Sequence, residues 1–85
     1  MKIQKVKEII EIILFIKDIK KTELAEKCSF SYTALNNFLV RHAKMRFDYI
    51  DEIFNVLDFP LSMALILSEK ELSRKELIEQ VLKII

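Results

Sequence analysis

The sequence predicts an all-α protein, with six helices in one domain spanning residues 1–85. Three observations carry that expectation. Apolar residues recur at helical spacing along most of the chain; glycine is absent and proline occurs once, at Pro60; and Ser73 with Glu76 forms an S-x-x-E capping box ahead of an apolar run. No internal repeat, low-complexity tract or linker divides the chain. A domain of this size buries only roughly 60 to 65% of its unfolded surface. Its apolar fraction of 52% exceeds the roughly 45 to 50% of an average chain, so some apolar surface is expected in a subunit interface.

Residues Lys2 to Lys17 read as the first helix, with Ile3, Val6, Ile10 and Ile13 on one apolar stripe and Ile9, Ile12 and Ile16 on a second. A helix apolar on two faces is either central in its domain or shared with another subunit. Asp18 is expected to end it, since Asp tolerates the left-handed conformation better than most residues. The second helix runs from about Lys21 to Cys28, with Leu24, Ala25 and Cys28 inward and Glu23 suited to the positive end of the helix dipole. Ser29, Phe30 and Ser31 make a turn, and Ser31 is placed to cap a third helix that buries Leu35, Phe38 and Leu39. VRHAKMR, from Val40 to Arg46, is a basic connector. The fourth helix, Arg46 to Leu57, turns Phe47, Ile50, Ile53, Phe54 and Leu57 inward and Asp48, Asp51 and Glu52 outward. Asp58 ends it, and Pro60 opens a short, almost wholly apolar fifth helix that is expected to be central. Leu72 and Leu77 flank the Ser73 cap as a hydrophobic staple. From there Leu77, Ile78, Val81, Leu82, Ile84 and Ile85 give the sixth helix, about residues 73–85, a broad apolar face expected to dock on the first helix, within the subunit or across a dimer.

Composition narrows the function classes. The single cysteine, Cys28, cannot form an internal disulfide, and with His42 fourteen positions on it offers no zinc spacing, so neither a metal nor a cofactor is expected. Cys28 reads as a small core residue rather than a nucleophile. Asp51 and Glu52 lie on a solvated face, no glycine-rich loop exists to cradle phosphate, and no catalytic residue or enzymatic activity is expected. The longest uncharged run in the first helix, Ile12 to Ile16, falls far short of the ~20 residues of a membrane span, so a soluble, cytoplasmic protein is expected. Net charge is only +1, but residues 1–47 carry ten Lys or Arg against five acids (+5) and residues 48–85 carry four against eight (−4). A basic half is consistent with nucleic acid bound through one face, and ordinary charge scatter explains it equally well.

The segment KTELAEKCSFSYTALNNFLVRHAKMRFDYIDEIFNVLDFPLSMAL, within a likeness covering roughly residues 9–67, resembles the phage-repressor (Cro and lambda-repressor-like, or xenobiotic-response-element) helix-turn-helix family. The likeness rests on the Leu24-Ala25 pair, Phe30 in the turn, Ser31 at the head of the third helix, the inward Leu35 and Phe38, and the later Leu57-Asp58-Phe59 series. Ala25 has a physical reason, because two helices crossing steeply over a tight turn leave room for little more than a methyl group. Ser29 stands where the family has its turn glycine, and in the left-handed region it would cost about 1 kcal/mol. Leu39 replaces a polar or acidic residue, Arg41 and Met45 replace a glycine and a proline, and the third helix carries no Arg or Lys.

The resemblance implies a five-helix lambda-repressor-like helix-turn-helix domain, here with an additional C-terminal helix. The motif proper covers about residues 21–39, and its third helix would lie in the DNA major groove. Tyr32, Thr33, Asn36 and Asn37 would then face base edges, where Asn can pair bidentately with adenine and a Thr methyl can pack on thymine. Lys21, Arg41, His42, Lys44 and Arg46 would meet phosphates. Such a protein would be a sequence-specific DNA-binding transcriptional regulator, a phage or mobile-element repressor on double-stranded operator DNA as a homodimer. The apolar residues Leu77, Ile78, Val81, Leu82 and Ile85 supply the expected dimer interface. Taken on their own, Asn36 and Asn37 also suit a plain solvated helix surface. A second reading keeps the fold as a protein-binding module that inhibits or assembles with another protein, motivated by the weak net charge, the uncharged third helix and the apolar Leu39 and Val40.

Overall fold

In the computed structural model, which describes residues 2–41 and 43–85, the first helix α1 spans Ile3–Lys17 with Lys2 as its N-cap. Val6, Ile9, Ile10, Ile12, Ile13 and Leu14 are all buried, so both apolar stripes are covered within this one chain. The covering elements are α5 (Leu61–Ser68) and α6 (Arg74–Ile84), which pack against α1. Of the two roles open to a two-faced helix, α1 takes the central one. The remaining helices are α2 (Lys21–Glu26), α3 (Tyr32–Val40) and α4 (Phe47–Val56); α2 packs on α3, and α4 on α5. The described residues contain no strand. Buried apolar side chains from all six helices join a single cluster. The accessible surface of 5282 Å² is close to the about 5,300 Å² that a folded chain of 10.1 kDa exposes.

Helix ends follow local chemistry. Asp18 (φ 54°, ψ 48°) and Asp58 (φ 54°) are left-handed. The Ile19 N–H then reaches back to the Leu14 carbonyl at 2.9 Å, and the Phe59 N–H to the Phe54 carbonyl at 3.0 Å, the bond that closes a Schellman-type helix end. Ile19 and Phe59 in turn fold onto the core. Glu71 (φ 47°), in the connection between α5 and α6, is also left-handed and precedes Leu72, which packs against the core. Ser31 Oγ accepts from the Ala34 N–H at 3.1 Å and caps α3. Ser73 and Glu76 make the reciprocal box expected at α6, with both bonds at 3.2 Å. Lys17 Nζ donates to the Leu57 carbonyl at 2.7 Å and Lys5 Nζ to the Leu72 carbonyl at 2.9 Å, tying α1 to the end of α4 and the approach to α6.

Several expectations need correction. α2 ends at Glu26 rather than Cys28, because the Lys27 and Cys28 N–H groups turn to the carbonyls three residues back, those of Leu24 and Ala25. Arg46 and Pro60 are extended N-caps, with ψ of 145° and 119°, rather than first helical residues. Ser29 is not left-handed: the described residues with positive φ are Asp18, Asp58 and Glu71, so the turn avoids the strain expected of it. Glu52 does not simply face solvent; its carboxylate accepts from both the N–H and the hydroxyl of Ser29. On α5, Ala64 and Leu67 are buried but Ile66 is 49% exposed, so only one side of that helix is central. Among the described residues no helix is long and apolar enough to cross a membrane.

Candidate nucleic-acid interface

The α2–turn–α3 unit is assembled from its inner side. Leu24 and Ala25 on α2 and Leu35, Phe38 and Leu39 on α3 are buried, which fixes the two helices against each other and against the core. The turn is then held from outside by α4. Phe30 meets the Tyr49 ring at 4.9 Å between centroids, and the Glu52 carboxylate binds Ser29, with the hydroxyl bond at 2.7 Å. At the end of α3 the Asn37 carbonyl accepts from the N–H groups of Arg41 (3.0 Å) and Ala43 (3.1 Å), which folds the connector back on the helix.

The residues expected to meet base edges divide into two pairs. Tyr32 and Thr33 are exposed at the start of α3, whereas Asn36 and Asn37 are half-buried one turn on. The cationic residues divide as well. Arg41 and Lys44 are exposed beyond the C-terminal end of α3. Lys21 Nζ lies 3.4 Å from Glu11 on α1. Arg46 makes a two-pronged pair with Asp48 (3.1 and 2.9 Å) and stacks over Tyr49 at 5.2 Å, joining the column that runs from Tyr49 to Phe30. These ion pairs are solvent-facing, so each stabilises by about 0 to 1 kcal/mol and yields readily to a competing anion. His42 lies outside the described residues. In the sixth helix, Leu77 and Val81 are buried in the chain's own core, Ile78 is half-buried, and Leu82 and Ile85 remain exposed.

Two features here escape sequence reasoning. Glu52 follows Asp51 on what reads as a polar helix face, and only the folded position of the turn brings Ser29 within its reach. Lys7 is a lysine 6% exposed, its ammonium 4.9 Å from the centre of the Phe38 ring. Its stem is covered by the core, and the ring contact stabilises the ammonium by roughly 0.5 to 2 kcal/mol. Its position was a signal, because Lys7 falls four residues after Ile3 and three before Ile10, on the first apolar stripe.

Cys28 is half-buried and packs against the core. Burial pushes its thiol up to about 11, and the charge of Glu52 and a hydrogen bond with it act in the same direction. Among the described residues no group of three or more His, Cys, Asp or Glu side chains is placed to hold a metal ion. Comparison with protein-family models, with curated proteins and with solved structures finds no match.

Proposed function

We propose that this protein is a sequence-specific DNA-binding regulator built on a helix-turn-helix domain of the phage-repressor type, acting on operator DNA as a homodimer and serving as a repressor. The observation that carries the reading is the presentation of α3: a capped helix, its turn clamped to α4 through Ser29 and Phe30, offering Tyr32 and Thr33 outward with Arg41 and Lys44 exposed beyond its far end. In this reading Tyr32, Thr33, Asn36 and Asn37 read bases, and Arg41, Lys44, Lys21 and Arg46 hold phosphates, the last two by exchanging a surface carboxylate for a phosphate. The exposed Leu82 and Ile85 of α6 contribute to the dimer contact.

The test is selection from a random duplex library, followed by titration of the selected site. With Arg41 and Lys44 alone engaged in each subunit of a dimer, affinity should fall about a hundred-fold between roughly 50 and 200 mM salt, and more steeply if Lys21 and Arg46 join. Thr33→Ala with Asn36→Ala should weaken the selected site by about ten-fold or more while leaving non-specific binding intact. Failure to retain any duplex at the lower salt would overturn the proposal.

Two observations favour the second reading, a protein-binding module. Val40 and Phe47, at the end of α3 and the start of α4, are each 53% exposed, and two of the candidate phosphate ligands are already paired with carboxylates. Stoichiometric recovery of a protein partner that survives nuclease treatment and is lost on Val40→Glu would support it.

A further inference from the structure

Spacings of three and four bring Thr33, Asn36, Asn37 and Val40 onto one side of α3, away from the buried Leu35, Phe38 and Leu39. Thr33 and Val40 are exposed at the two ends of this stripe, and the asparagines are half-buried between them. From Tyr32 to Val40 the helix holds no charged residue. Val40 is the odd member, an apolar side chain turned to water directly after the buried Phe38 and Leu39. The stripe thus presents two amides flanked by methyl groups. In the major groove adenine sets an acceptor, N7, beside a donor, the N6 amino group; an asparagine amide matches both, its NH2 donating and its carbonyl accepting. Thymine adds a C5 methyl group that an apolar side chain can cover. Guanine sets two acceptors side by side, O6 and N7, so an asparagine that donates to one turns its carbonyl on the other. The matching pair of donors comes from Arg or Lys, which α3 lacks. Tyr32 favours neither kind of pair, because its hydroxyl both donates and accepts.

We propose that the operator is recognised at A·T pairs through the major groove, with Asn36 and Asn37 on adenine edges and Thr33 and Val40 covering thymine methyl groups. Resting on the reading of α3 as the base-reading helix, this assignment adds Val40 to the base contacts and keeps guanine out of the pairs that α3 touches. Arg41, the first cation past the helix, stays on phosphate.

The experiment sequences the duplexes that the full chain retains from a random library, then remakes the best site with single pairs exchanged. The pairs under α3 are those whose exchange matters less once Thr33, Asn36, Asn37 or Val40 is replaced by alanine, and all of them are expected to be A·T. Inosine·cytosine then identifies the groove, because it shows the major-groove face of G·C and the minor-groove face of A·T. At each pair under α3 it should weaken binding by the unaltered chain about ten-fold or more. Uracil in place of thymine deletes one methyl group and should cost about three-fold at the pair under Val40. That loss should disappear in Val40→Ala, while the inosine·cytosine losses remain. Guanine required at a pair under α3, inosine·cytosine bound as tightly as A·T, or every uracil effect intact in Val40→Ala would each overturn the assignment and leave DNA binding standing. A chain that retains no duplex at low salt would overturn the DNA reading itself, and the A·T assignment with it.

Discussion

Glu52 holds two neighbours at once. It accepts from the Ser29 N–H and hydroxyl, and its charge, after burial, helps keep the Cys28 thiol protonated up to about pH 11. Replacing the carboxylate in Glu52→Gln removes that charge and weakens the anchor of the turn. Thiol alkylation at pH 8 should therefore speed up several-fold, and the domain should lose about 1 kcal/mol in a denaturant melt. An unchanged alkylation rate would separate Cys28 from Glu52. The same thiol sets a sign for alkaline pH. Its folded value is raised above the ordinary 9.0, so the stability it contributes is complete below pH 9 and is lost as pH climbs toward 11. Relative to Cys28→Ala, the unaltered protein should thus lose stability across that window.

Among the elements, the legible ends are those whose chemistry stays within a few residues. Ser73 and Glu76 lie within one helical turn of each other, and Asp18 and Asp58 act through their own backbone angles, so all four could be read from the string of residues. The α2–α3 turn was less legible. Without a left-handed residue, it is stabilised by a ring and a carboxylate from α4, residues Tyr49 and Glu52, some twenty positions away. Of the candidate site, the composition of the α3 surface could be read, but not the pairing of Lys21 with Glu11, which depends on how α1 and α2 sit together. The α6 cap has its own titration. The Ser73 N–H, and then its hydroxyl, hold the Glu76 carboxyl below its ordinary value. With the folded value lowered, the contribution is present above the unfolded value of 4.5 and disappears as pH falls through the folded one. Melting followed by circular dichroism should show the unaltered chain losing more between about pH 5 and pH 3 than Glu76→Gln does. Identical acid limbs would mean that the box adds nothing to folding.

On the scale of the whole molecule, the two apolar stripes of α1 are used up inside the chain by α5 and α6, and what remains outside is scattered. Phe15 is 85% exposed on α1, Ile66 49% on α5, and Leu82 and Ile85 53% and 49% at the end of α6. Sequence patterning identified the α6 face but could not divide it between inward and outward residues, because a broad stripe leaves open which part meets α1. The division makes the proposed dimer testable without touching the core. Leu82→Glu with Ile85→Glu should convert a dimer to a monomer in sedimentation while leaving the melting temperature within a few degrees, since surface changes are usually within about 0.5 kcal/mol. A mass unaffected by the pair would remove α6 from the interface.

Asp18, Asp58 and Glu71 have one more consequence, which concerns the unfolded chain. Acids in the left-handed region cost the native state something at three positions, where glycine would cost less. Yet every glycine widens the range of backbone shapes open to the chain before it folds, at about 0.4 to 1 kcal/mol apiece relative to alanine. With none in 85 residues, this sequence begins folding from a narrower ensemble than most chains of its length. Local strain at a few helix ends is thereby set against freedom withheld along the whole backbone, which favours a domain too small to rely on a large core.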